Sequence, residues 1–116
     1  MNLYHCFIDL KDGAKALAFA AAIDHWMAFL HAEGVIDGWR LLRRKLNLAA
    51  NSHRDFLLEI ELRDLAQLDA AFALVSRRSG EADRLYARIS PMIQTVDYGL
   101  YRPYPDPEHV ERAALL

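Results

Sequence analysis

A chain of 116 residues, 53% hydrophobic and 26% charged, can bury one core without staples and is too short for two ordinary domains. Its formal charge of -2 supplies no cationic field for nucleic acid or an anionic membrane, which leaves small molecules and proteins as the expected partners. The single cysteine, Cys6, excludes an internal disulfide, and its place in an apolar run gives it the character of a small core hydrophobe in a reducing compartment.

The opening stretch, MNLYHCFIDL, alternates as a strand. Tyr4, Cys6, Ile8 and Leu10 form one face, and Leu3, His5, Phe7 and Asp9 form the other. It has neither the basic start nor the long apolar run of a signal peptide, so a cytoplasmic location is expected. Asp12 and Gly13 predict the cap and turn of a first helix that stops at Gly34. Phe19, Ile23, Trp26 and Leu30 recur on it at helical spacing. Ala21, Asp24, His25, Ala28 and His31 fall on its other side, at intervals that a membrane span would not favour.

A second strand is predicted from Ile36 to Leu46, followed by a loop holding Asn47, Asn51, Ser52 and His53, and a third strand from Asp55 to Leu62. In the third strand Phe56, Leu58, Ile60 and Leu62 alternate with Leu57, Glu59 and Glu61. Asp64 and Gln67 resemble a capping box for a second helix with Leu65, Leu68, Phe72 and Val75 as its apolar stripe. Ser79 and Gly80 break that helix. A shorter one follows from Glu81 to Ile89, with Ala82, Leu85, Tyr86 and Ile89 inward, and Pro91 precedes a fourth strand from Met92 to Tyr101.

Beyond residue 101, three prolines within five residues predict an extended arm, and Asp106, Pro107 and Glu108 suit the start of a short terminal helix bearing Val110, Ala113 and Ala114. The expected organisation is one domain over residues 1–101 with an arm over 102–116 that docks on its own or a partner subunit.

The order strand, helix, strand, strand, helix, strand selects a split βαβ arrangement: an antiparallel sheet in the order 4-1-3-2 with helices on one face. The other face then carries Leu3, Phe7 and Leu57, an apolar patch that a second copy of the chain would cover by symmetry. With these elements in place, the chain resembles the dimeric α+β barrel superfamily with a ferredoxin-like fold. The stretches LKDG at 10–13, GWRLLRRKL at 38–46, FLLEIELRDLAQLDAAF at 56–72 and YGLYRPYPDP at 98–107 look similar to a bacterial family of unknown function within it. The resemblance implies a homodimer and a wide range of activities, from cofactor-independent monooxygenases and lactone isomerases to haem-handling and stress-related proteins. The Asn, Trp and His set of haem-degrading members does not map onto Trp39, His25 and His31, because no asparagine stands in a strand interior.

The polar residues of the open face are the candidate catalytic groups: His5, Glu59 and Glu61, with Asp9 nearby. In the 4-1-3-2 order the first and third strands are antiparallel neighbours, which brings His5 near Glu59 or Glu61. An imidazole beside a carboxylate can take a proton from a substrate and return it. Arg43 is the candidate anchor for an anionic group and Trp39 an aromatic wall, with Tyr98 a third substrate-binding candidate. A one-residue change of register exchanges Arg43 for Arg44.

No HExxH, HxH or CxxC spacing supports a metal, and His25 and His31 stand about 120° apart around a helix, so no metal or cofactor is expected. Ser52, Ser76, Ser79 and Ser90 lack a nucleophile context and suit caps and turns. Two functions follow. One is a homodimer that binds a small acidic or aromatic molecule, in the barrel or between sheet and helices, with cofactor-independent proton transfer. The other is a non-catalytic homodimer whose charged pairs only set assembly and whose His5 is structural.

Overall fold

A computed structural model describes residues 1–12, 14–46, 48, 50, 53–77 and 80–105. Four strands, β1 (Asn2–Leu10), β2 (Gly38–Arg43), β3 (Phe56–Leu62) and β4 (Ile93–Tyr101), form one antiparallel sheet in the order β2-β3-β1-β4. This is the 4-1-3-2 order read from the opposite edge. Helix α1 (Ala16–Ala32) links β1 to β2, α2 (Leu65–Ser76) and α3 (Gly80–Ile89) follow β3, and a 3-10 turn at Ser90–Met92 joins α3 to β4. The architecture is the ferredoxin-like α+β fold.

Strand alternation divides the sheet into two chemically different faces. Cys6, Ile8, Phe56, Leu58, Ile60 and Leu62 are buried on the helix face. There they meet Phe19, Ile23, Trp26 and Leu30 of α1, and Phe19, fully buried, packs its ring 5.1 Å from that of Phe56. Ala21, Asp24, His25, Ala28 and His31 are exposed on the far side of α1.

The end of α1 is a Schellman turn. Gly34 adopts φ +77, its N–H donates to the His31 carbonyl at 3.0 Å, and the Val35 N–H donates to the Leu30 carbonyl at 3.2 Å. The helix start differs from the sequence expectation. Asp12 does not cap α1; the N-cap is Lys15, which makes no side-chain bond, because the chain first spends residues on a turn in which the Ala14 N–H donates to the Lys11 carbonyl at 3.0 Å.

Strand β2 is shorter than its apolar run. The Arg44 N–H still donates to the Asp55 carbonyl at 2.9 Å, but Leu46 then turns into the left-handed region at φ +58, ending extension. The capping residues of α2 act as their types suggest: Asp64 Oδ1 accepts from the Gln67 N–H at 2.8 Å, and Gln67 Oε1 accepts from the Arg63 N–H at 2.8 Å.

Its apolar stripe is rotated from the expected one. Gln67 and Ala71 are the buried residues, Leu68 and Val75 are half-buried, and Leu65 and Phe72 stay about half exposed. In α3, Ala82, Leu85 and Ile89 are buried while Tyr86 is 48% exposed. The inward sides of α2 and α3 thus do not close fully on the sheet. Gly13, Asn47, Asn51, Ser52, Ser79 and the terminal helix expected after Asp106 lie outside the described residues.

Candidate functional site

On the open face, one row of paired positions crosses all four strands, since Arg40 pairs with Glu59, Glu59 with His5, and His5 with Gly99. Arg40 Nε donates to Glu59 Oε1 at 2.9 Å, and His5 Nε2 donates to Glu59 Oε2 at 2.9 Å, so both carboxylate oxygens are occupied. The side chains of His5 and Glu59 are only 14% and 11% exposed, whereas Arg40 is 66% exposed. Tyr101 lays its ring 4.8 Å from the His5 ring, and Phe7 approaches it edge-on at 5.8 Å. Gly99 makes room for this: a Cβ there would stand 3.1 Å from the Tyr101 ring. Glu61 does not join the row; it pairs with Leu3 and lies over Gly38 at the next register position.

At the far end of the same face, Arg54 clamps β1 to β4. Its guanidinium donates to Asp9 Oδ2 at 2.9 Å and to Asp97 Oδ2 at 2.8 Å, while the Asp55 N–H donates to Asp9 Oδ1 at 2.9 Å. Burial pushes the Asp9 carboxyl up, but the Asp55 N–H and the Arg54 guanidinium outweigh it and hold the group below the usual carboxylate range.

The helix face carries a cavity of about 540 Å³ where α2 and α3 stand off the sheet. Ile23, Leu58 and Ile60 contribute to its apolar walls, and Trp26, Phe72, Tyr4, Tyr86 and Tyr98 its aromatic ones. Tyr4 is central: its ring stands 6.0 Å from Phe72 at 77° and 5.8 Å from Tyr98 at 34°. Trp26 approaches Tyr86 at 6.0 Å. Burial, helped by Cys6 and Tyr98, pushes the Tyr4 phenol up to about 12, and burial pushes the Cys6 thiol up to about 12. Tyr98 is raised in the same direction, by burial and then by Cys6 and Tyr86. These groups therefore stay protonated through the neutral range.

The candidate residues from the sequence are divided between the two faces. His5, Glu59 and Glu61 lie on the open face. Trp39, Arg43 and Tyr98 pair with Ile60, Phe56 and Cys6 and so lie on the helix face, separated from His5 by the sheet. Among them only Tyr98 lines the cavity. Arg43 sits 5.6 Å above the Phe56 ring, and Trp39 stands 6.0 Å from His31. Arg44 donates to the His53 carbonyl at 3.2 Å and pairs with Asp55 at 3.4 Å. Arg40 is the arginine that reaches the His5 row. The sequence reading weighs only Arg43 and Arg44 and misses it; the β2–β3 register identifies Glu59 as its partner. Tyr4 and Tyr86 read from sequence as core residues, and the gap that makes them cavity walls arises from how α2 and α3 pack.

Among the described residues, no group of three or more His, Cys, Asp or Glu is placed to hold a metal ion. No described helix is long and apolar enough to cross a membrane.

The family of unknown function DUF6614 matches this chain over residues 1–116. No curated protein matches it. Among solved structures, a protein of Arabidopsis thaliana superposes with a TM-score of 0.69 at 9% identity, covering 89% of this chain and 95% of that one. A dimeric ferredoxin-like protein of unknown function from Thermobifida fusca gives 0.58 at 17% identity, covering 87% and 90%. SnoaB of Streptomyces nogalater, described as a cofactor-independent oxygenase, gives 0.62 at 12% identity, covering 93% and 96%. At these identities the likeness is one of fold.

Proposed function

The chain belongs to the DUF6614 family of unknown function, and we propose that it is a homodimer that holds a small molecule between its sheet and its helices. The observation that carries this reading is the 540 Å³ cavity lined by Tyr4, Trp26, Phe72, Tyr86 and Tyr98, a size and composition that suit a small organic ligand. The dimer is supported by the open face, where Leu3, Phe7 and Leu57 stand outside the core cluster, and by the fold neighbour from Thermobifida fusca being described as dimeric. In this reading the Arg40–Glu59–His5 row belongs to the subunit contact. Its charges are already mutually bonded, so a second sheet can cover them without stranding an unpaired ion.

Native mass spectrometry tests both parts at once. The expected result is an ion of twice the chain mass that gains discrete adducts from a library of small aromatic compounds. A monomer that takes up none of them contradicts the proposal.

A second reading rests on the 2.9 Å contact between His5 and Glu59. In the space enclosed by two facing sheets, His5 would move a proton on a bound carboxylic acid or phenol while Glu59 holds the imidazole. It requires that such ligands raise the melting temperature of the wild type and not of His5→Ala. Identical responses from the two proteins would remove His5 from any catalytic role.

A further inference from the structure

Resting on the binding reading above, we infer that the cavity selects an uncharged, flat molecule that accepts hydrogen bonds through a carbonyl-type oxygen, and that it rejects the corresponding carboxylate. Among the described residues, the lining contains no Asp, Glu, Lys, Arg or His. An ion seated against these apolar walls would shed part of its hydration with no counter-charge among the described residues to replace it, which is unfavourable. Arg43, expected from the sequence to hold an anionic group, is occupied above Phe56 and does not reach this space.

Among the described residues, the polar side chains that do line the cavity carry hydroxyls, one thiol and the Trp26 indole N–H. Tyr4, Tyr86 and Tyr98 have no hydrogen-bond partner among the described residues, although each carries a phenol that favours one. A phenol is a stronger donor than acceptor, and the Tyr4 and Tyr98 groups stay protonated well above neutral pH. Tyr86 and Tyr98 are 48% and 61% exposed, so water accepts from their hydroxyls until the acceptor oxygen of a guest takes its place. The shape requirement comes from the rings: Tyr4 sits between Phe72 and Tyr98, and Trp26 beside Tyr86, so aromatic surfaces border the space and favour a planar guest.

Three probes of one shape separate the terms: naphthalene, 2-naphthamide and 2-naphthoate, with affinities taken from 1H–15N NMR titrations at pH 7.5. The amide is expected to bind at least about tenfold tighter than the carboxylate, because only the carboxylate is stranded as an ion. In the Tyr4→Phe/Tyr98→Phe variant the amide is expected to weaken several-fold while naphthalene holds, and retained naphthalene binding shows that the variant is folded. Carboxylate binding as tight as the amide, or amide binding unchanged in the variant, overturns the inference while leaving the binding reading intact. Failure of all three probes to bind, naphthalene included, overturns that reading and the inference with it.

Discussion

Gln67 shows how one amide can hold a fold together at a point that charge would not serve. It is 4% exposed; its Oε1 accepts from the Arg63 N–H, and its Nε2 donates to the Gly34 carbonyl at 3.1 Å and to Asp37 Oδ1 at 2.8 Å. It therefore ties the start of α2 to the loop between α1 and β2. Gln67→Ala removes three side-chain bonds and strands the Gly34 carbonyl and Arg63 N–H, at an expected cost of about 2–3 kcal/mol, read as a lower urea midpoint at unchanged slope.

Asp9 offers a pH test at the same scale. Its carboxyl is depressed in the folded state, so its stabilisation is present above the unfolded value near 3.9 and is lost as pH falls through the lower folded value. Asp9→Asn should lower stability at pH 7 and flatten the loss between about pH 5 and pH 2 in a series of urea midpoints. An unchanged acid slope would mean that the Arg54 clamp contributes nothing to folding. At this scale, strand parity made the faces of His5, Glu59 and Asp9 legible from sequence. The partner of Glu59 on β2 was not legible, because the loop between β2 and β3 hides the register that brings Arg40 opposite it.

Elements with strong punctuation were the easiest to read. Gly34 ends α1 at φ +77 with nothing within 4 Å of where a Cβ would stand, so its requirement is purely a backbone one. Gly34→Ala should cost about 1 kcal/mol, seen as a lower melting temperature with the fold intact by circular dichroism. Loss of helical signal beyond that small destabilisation would show that the turn specifies the α1–β2 connection as well as stabilising it. The stripe of α2 was harder. Leu65, Leu68, Phe72 and Val75 recur at helical spacing, yet the buried pair is Gln67 and Ala71. Periodicity reports an apolar side and not which part of it meets a neighbour, and here Gln67 rotates the helix by the bonds it makes at its first turn. The cavity follows from that rotation, since Phe72 is left at its border instead of in the core. Asp12 gives the opposite lesson: a good capping residue in the right region is passed over when the chain leaves β1 through a turn of its own.

At the level of the whole molecule, subunit association makes a prediction that ligand binding does not. A homodimer whose subunits unfold on separation has a melting temperature that rises with protein concentration. Wild type should gain several degrees between about 5 and 500 μM, and Leu57→Glu, on the open face, should remove the dependence. A melting temperature independent of concentration in the wild type would show that the open face is not a subunit contact.

The sheet is one residue thick, and this has a consequence for how the protein can diverge. Along β1, Tyr4 and Cys6 border the cavity while His5 and Phe7 face the other way, so two instructions are interleaved in one stretch of sequence at alternate letters. On the proposed reading, substitutions at even positions would retune the guest and those at odd positions the partner, each leaving the other instruction legible. Loss of a single codon within β1 would scramble both together.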